Sequence, residues 1–325
     1  MKLETRTTVF PLAEVFSISR GSRSEAVVVE VEVQSEDGHR GRGECVPYAR
    51  YNETVDSVLA QIESLRDGLD DLNTDNLQQR MAPGAARNAV DCALWDLQAK
   101  RSGQRVWQLL GQHAPSTLTS AYTLSLEDPA IMQQKAAREA HRPLLKIKLG
   151  GEEDMARLEA VRRGAPKSRL IVDANEGWDL ALYQSLAPHL IQLGVDLVEQ
   201  PLPAGDDEAL RGAERPVPIC ADESCHDRAS LPDMLGKYDL INIKLDKTGG
   251  LTEAIALRAA AQSAGLGIMV GCMVSSSLAM APAMLVAEGA SFVDLDGPLL
   301  LAEDRPEGLQ FTGSAIAPAA PTLWG

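Results

Sequence analysis

No run of residues in the chain is apolar and long enough to span a bilayer, and Met1-Lys-Leu-Glu-Thr-Arg6 has no apolar signal core. Positive charge is scarce: 31 Lys and Arg against 46 Asp and Glu give a formal net charge of −15. Such a surface repels polyanions, which argues against nucleic acid and anionic membranes as partners. Cysteine is sparse too. Cys45, Cys92, Cys220, Cys225 and Cys272 are odd in number and scattered, and read as reduced thiols of a cytoplasmic protein. Only Cys220 and Cys225 lie close together, with no second pair to complete a zinc site. An early GxGxxG fingerprint is missing, which counts against an open doubly wound sheet. What remains is 45% hydrophobic and 24% charged over 325 residues, enough for a large core in one barrel or two domains.

The first 113 residues read as an α+β unit. Glu25 to Gln34 alternates apolar and polar residues as a half-exposed antiparallel strand does. Asp37-Gly38 supplies a hairpin turn and Gly41-Arg-Gly-Glu-Cys45 starts the return. Helical patterns follow at Thr54 to Leu69 and Ala85 to Arg101, and Gly111 stops the segment after Arg105.

From residue 114 to 297 the pattern becomes a repeat. Apolar runs at Leu118–Leu124, Leu144–Leu149, Leu170–Val172, Leu197–Val198, Val217–Cys220, Leu240–Leu245, Gly267–Val270 and Phe292–Leu295 predict eight strands, with a period of roughly 25 residues. Helical stretches lie between most of them: Asp128-Pro129 is a favoured start, and the stretch after Gly249-Gly250 stops at Gly265. Alternating strands and helices predict an α/β fold with a closed TIM-type barrel. The Pro-, Gly- and Ala-rich tail, residues 298–325, is expected to pack back on the first unit.

Ionisable residues cluster at the C-terminal ends of these strands, where barrels carry their chemistry. Strand two ends in Lys146 and Lys148, strand three in Asp173, strand four in Glu199, strand five in Asp222, strand six in Lys244 and Lys247, and strand eight in Asp294 and Asp296. Any one acid there reads as a loop cap. Acids on three consecutive strands, with lysines on the strands either side, point to a site. Three converging carboxylates repel one another unless a cation lies between them. All-oxygen donors without His or Cys select a hard ion, Mg²⁺ first and Mn²⁺ second. Lys148 and Lys244 would then face each other across that ion. A second ammonium about 6 Å away costs roughly 2–3 kcal/mol at an effective dielectric of 20, so Lys146 and the metal are expected to lower a lysine toward the range of a general base. Such a site removes a proton beside a carboxylate, holds the enediolate, and returns the proton to the other face.

The motifs KIK at 146–148, VDAN at 172–175, EQP at 199–201, ADES at 221–224 and NIKLDKTGG at 242–250 resemble the enolase superfamily, muconate-lactonising subgroup. AVDCALWDLQAK (89–100) and RVWQLLG (105–111) are similar to that family's capping domain, so the likeness covers nearly the whole chain. The resemblance implies a modified (β/α)7β barrel with an N-terminal α+β cap. It implies Asp173, Glu199 and Asp222 as metal ligands, Lys148 and Lys244 as paired acid/base catalysts, and Lys146 as a supporting lysine; alignment on NIK favours Lys244 over Lys247. A lysine base with Mg²⁺ is a recognised arrangement of that superfamily.

The subgroup contains cycloisomerases, o-succinylbenzoate synthases, N-acylamino acid racemases and dipeptide epimerases. Asp294 and Asp296 share one face of strand eight and suit a substrate ammonium, a pattern similar to dipeptide epimerases. Ser19-Arg20-Gly-Ser-Arg23 stands before the Glu25 strand, in a loop that in this family folds over the barrel mouth. The stretch ISRGSRSEA resembles the loop of bacterial L-Ala-D/L-Glu epimerases, and Arg23 matches the arginine that grips a side-chain carboxylate there. GECVPYARYNET (43–54) adds to the likeness; Thr123, Cys272 and Met273 are expected to shape the pocket. The implied activity is epimerisation of a small dipeptide, in this family a step of cell-wall peptide recycling, and a homo-oligomer is compatible with the resemblance. A non-catalytic peptide or metal binder is the alternative from another class, but it has no use for two facing bases.

Overall fold

Alternation of the kind seen at Glu25–Gln34 builds the first sheet. In the computed structural model, which describes residues 1–151 and 153–325, β1 (Lys2–Ile18), β2 (Gly21–Gln34) and β3 (Arg40–Cys45) form an antiparallel sheet in that order. Val29, Val31 and Val33 turn inward while Glu30 and Glu32 stay half-exposed. The helices here are α1 (Val55–Glu63), α2 (Thr74–Arg80), α3 (Ala85–Ser102) and α4 (Val106–Leu109). α1 starts on its Thr54 cap but stops short of the expected Leu69, before Gly68 takes a φ of 84°. α3 lies directly on β3: a Cβ at Gly43 would stand 2.0 Å from the Ala89 carbonyl oxygen. Only glycine permits that approach.

The loop expected at Ser19–Arg23 is instead the tip of the β1–β2 hairpin. Arg23 already belongs to β2, paired with Phe16. The expected strand Leu118–Leu124 also divides. β4 (Leu118–Thr119) leaves the barrel to pair with the tail, and β5 (Tyr122–Leu124) is the first barrel strand. Ser120 makes the crossing, donating its N–H to Ser314 and accepting at its hydroxyl from Leu295 N.

The barrel continues with α5 (Pro129–Arg138), β6 (Leu144–Lys148), α6 (Asp154–Gly164), β7 (Arg169–Asp173), α7 (Leu180–Gln192), β8 (Val195–Glu199), β9 (Ile219–Ala221) and α8 (Leu231–Met234). Then come β10 (Leu240–Ile243), α9 (Leu245–Thr248), α10 (Leu251–Ser263), β11 (Gly267–Gly271), α11 (Ser277–Ala287), β12 (Phe292–Asp294) and α12 (Gly297–Leu300). β5 to β12 are parallel neighbours in chain order, and Ala121 N donates to Val293 O at 2.7 Å to bring the two edges together. Ala121, Leu144, Ile171, Leu197, Cys220, Leu240, Met269 and Phe292, one beside or within each strand, fill the floor. The expected (β/α)7β barrel with its cap is therefore found. Asp128 caps α5 and Gly265, at φ 81°, follows α10, as expected. β13 (Phe311–Thr312) and β14 (Ala315–Ile316) lead to a tail whose buried Trp324 donates to Cys92 O of α3 at 3.0 Å. No helix among the described residues is long and apolar enough to cross a membrane.

Candidate active site

Strand register sets the site. Lys148 pairs with Asp173 and Asp173 with Glu199 across three neighbouring strands, so parallel pleats aim all three the same way. Glu199 pairs with Cys220, and Asp222 follows two residues later, again on the inward face. Asp173, Glu199 and Asp222 are buried at 0%, 0% and 2% exposure, which in this setting demands charged partners. Those partners are the lysines. Lys146 Nζ lies 2.6 Å from Glu199, 2.8 Å from Asp294 and 3.3 Å from Asp173; Lys148 Nζ lies 2.6 Å from Asp173; Lys244 Nζ lies 2.6 Å from Asp222.

Burial pulls the Lys146 ammonium down, but Asp294, Glu199 and Asp173 outweigh it and hold the group well above the usual lysine range. Burial likewise opposes Lys244, and Asp222 and Glu199 overcome it to raise this group well above that range. The lowering expected from neighbouring ammonium groups is thus not the effect that wins for these two. Each faces carboxylates at contact distance, and those set the balance. Among the acids, burial and then Asp173 push Glu199 up to about 7. Asp173 resists its burial through Lys148 and Lys146 and is held at about 2.

Asp294 and Asp296 stand on the other side of Lys146. Asp296 accepts from Thr123 N at 2.6 Å, while burial and Asp294 push it up to about 7. Asp294 Oδ1 is buried and has no hydrogen-bond partner among the described residues. Thr123, Cys272 and Met273 line the same cavity as the lysines and both aspartates, as expected.

The hairpin tip closes one side. Arg20 donates to Asn175 O, Glu176, Glu223 and Tyr48 OH, at 2.7–3.3 Å. Arg50 holds Glu176 with two nitrogens at 2.9 and 2.7 Å. Arg23 lines the cavity half-buried, its guanidinium 5.9 Å from the Tyr48 ring centroid, and among the described residues that guanidinium has no hydrogen-bond or ion-pair partner. One arginine of the pair is a fastener; the other is uncommitted.

As the side chains stand, ammonium groups lie between the acids, and among the described residues no three acids, histidines or cysteines converge to hold an ion. The donor chemistry fits a hard cation all the same. Three adjacent buried carboxylates supply only oxygen, and Glu199 Oε2 makes no hydrogen bond although Lys146 Nζ is 2.6 Å away. A cation there would satisfy that oxygen.

Sequence reasoning passed over Tyr51, Asn175 and Glu223, which also line the cavity, and Asn242, which donates to Glu199 Oε1 at 2.8 Å. Asn242 was the readable one: an amide within the apolar run Leu240-Ile-Asn-Ile243 needs a buried partner. Tyr51 reaches the site from the other domain, which local pattern does not reveal.

Comparison with known proteins agrees with this architecture. Residues 2–111 match the mandelate racemase/muconate lactonizing enzyme N-terminal domain, and residues 131–314 the enolase C-terminal domain-like family. The chain is 47% identical to the L-Ala-D/L-Glu epimerase of Escherichia coli (strain K12), over 93% of this chain and 95% of that one. It is 46% identical to an N-acetyl-D-glutamate racemase of Pseudoalteromonas sp., over 88% and 91%. An enolase family member from Agrobacterium tumefaciens with homology to dipeptide epimerases, crystallised with bound sodium and L-Ala-L-Glu, superposes with a TM-score of 0.97 at 54% identity, covering 99% of both chains. The dipeptide epimerase of Enterococcus faecalis V583, complexed with Mg and L-Leu-L-Tyr, gives 0.90 at 29% identity, covering 97% and 96%.

Proposed function

Since the chain belongs to the mandelate racemase/muconate lactonizing enzyme family, we propose that it is a Mg²⁺-dependent dipeptide epimerase of the L-Ala-D/L-Glu type. The observation that carries this reading is the pair Lys148 and Lys244, the one ending the second of eight barrel strands and the other directly following the sixth, with the buried acids between them. One lysine takes the α-proton of the C-terminal residue and the other returns a proton to the opposite face of the enediolate. Asp173, Glu199 and Asp222 would hold the metal, which supplies positive charge to the substrate carboxylate. Lys146 neutralises the acids on both sides of it. Asp294, with its free Oδ1, and Asp296 receive the substrate ammonium. Arg23 meets the glutamate side chain, as the guanidinium left uncommitted at the mouth, while Thr123, Cys272 and Met273 shape the wall.

This reading extends to a cytoplasmic role in recycling cell-wall peptides, the setting in which an Ala-Glu dipeptide arises. The competing reading is racemisation of an N-acylated glutamate, favoured by the Pseudoalteromonas relative. The two differ at the amine. Turnover of L-Ala-L-Glu and of N-acetyl-glutamate, by the parent and by Asp296→Asn, separates them: a dipeptide epimerase loses most of its activity in the variant. An acyl racemase prefers N-acetyl-glutamate and tolerates the change.

A further inference from the structure

We propose that Lys247 is a positioning residue that fixes which oxygen of Asp222 is presented to the metal; this rests on the metal reading above. The side chain is fully buried, and its Nζ donates to Asp222 O at 2.5 Å, Asp222 Oδ1 at 2.6 Å and Asn242 O at 2.9 Å. All three donors of the ammonium are therefore used. Lys247 is also absent from the cavity lining, so it does not meet substrate.

The same division recurs at the other two acids. Asp173 Oδ1 accepts from Asn175 N at 2.9 Å, and Glu199 Oε1 accepts from Asn242 Nδ2 at 2.8 Å. The opposite oxygens, Asp173 Oδ2, Glu199 Oε2 and Asp222 Oδ2, face Lys148, Lys146 and Lys244. Each carboxylate thus has one oxygen held by a neighbouring donor and the other facing a lysine, and it is this second oxygen that a cation would take over. Asp222 alone is pinned by a cation. Gln200 fixes its backbone as well, accepting from Asp222 N at 2.8 Å and Ser224 N at 3.1 Å.

The sign of the effect distinguishes positioning from mere charge balance. An ammonium beside a divalent ion opposes that ion, so a lysine that only neutralised Asp222 would, on removal, leave the site with higher affinity for Mg²⁺. A lysine that holds the ligand would, on removal, leave it with lower affinity. The test is calorimetric titration of Mg²⁺ into the parent, Lys247→Met, Lys247→Gln and Asp222→Asn, with folding checked by circular dichroism. The expected result is a ~10- to 100-fold weaker Kd for Lys247→Met, with Lys247→Gln, whose amide keeps two N–H donors, weakened less. If the Met variant does not fold, weakening in folded Lys247→Gln carries the test. Unchanged or tighter binding in a folded Lys247 variant, with Asp222→Asn weakened, overturns the proposal alone. Unchanged binding in Asp222→Asn overturns the metal reading and this inference with it.

Discussion

Lys148 and Lys244 stand half a barrel apart, and each keeps its Nζ 2.6 Å from a different buried carboxylate, Asp173 for one and Asp222 for the other. The pairing matters because a buried ammonium is costly unless an acid meets it. Here the acids that stabilise the two lysines are the ones proposed to hold the metal. A cation held by those acids would neutralise their charge and leave the lysines to the substrate. Removing it should therefore disable the site without unfolding the barrel. Dialysis against a chelator is expected to abolish epimerisation with the far-ultraviolet dichroism unchanged, and added Mg²⁺ to restore it.

The two arginines of the hairpin tip should separate cleanly. Arg23→Leu removes the uncommitted guanidinium, and a charged hydrogen-bonded pair is worth about 1.5–3 kcal/mol. That corresponds to a loss of roughly 10- to 150-fold in kcat/KM for L-Ala-L-Glu, with dipeptides lacking a side-chain carboxylate little affected and Tm unchanged. Arg20→Leu instead unpairs Glu223, whose side chain is 2% exposed, so Tm is expected to fall and all substrates to suffer together. Kinetics on an acidic and a neutral dipeptide, with melting curves, check both.

Gly43→Ala tests the seam between sheet and helix. The added methyl carbon would lie 2.0 Å from Ala89 O and 2.9 Å from Ala93 N, both backbone atoms of α3 that cannot rotate away. Overpacking of this kind costs about 1–3 kcal/mol or more, and the variant is expected to melt several degrees below the parent.

Asp246 should make stability depend on pH. It is buried, and burial outweighs its hydrogen bonds from Val46 N and Asn88 to push its carboxyl from 3.8 up to about 7. Between those values the folded chain holds a proton that the unfolded chain has released, so this group's contribution falls as pH rises through the window and levels off above about 7. Asp246→Asn keeps the acceptor and has no proton to lose. Its denaturant midpoint, measured relative to the parent, is expected to rise between pH 4.5 and 8.

The barrel was legible because its strands are buried on both faces and read as apolar runs, which makes a charged residue at a strand end conspicuous. Asp173, Glu199 and Lys148 could be found that way, and their shared register follows. β1 was not: it is a sheet edge whose exposed positions mix polar residues (Lys2, Glu4, Arg6) with apolar ones (Val9, Ala13, Val15), and its register shifts between Pro11 and Phe16, so no sustained alternation marks it. The split at Ser120 was hidden for the opposite reason, since β4 and β5 read as one apolar stretch although they serve different sheets. Arg20 and Arg23 look alike in sequence. Only the position of Glu223 and Glu176 across the domain seam tells the fastener from the free group.

Deuterium uptake at the α-carbon of L-Ala-L-Glu and its D-Glu epimer, in D₂O with Mg²⁺, tests the two-lysine arrangement most directly. The parent should exchange both epimers. Lys148→Ala and Lys244→Ala should each lose epimerisation by about 10²- to 10⁴-fold, and each should keep exchange with one epimer only, opposite between the two variants. Exchange and epimerisation surviving intact in both variants would contradict the account.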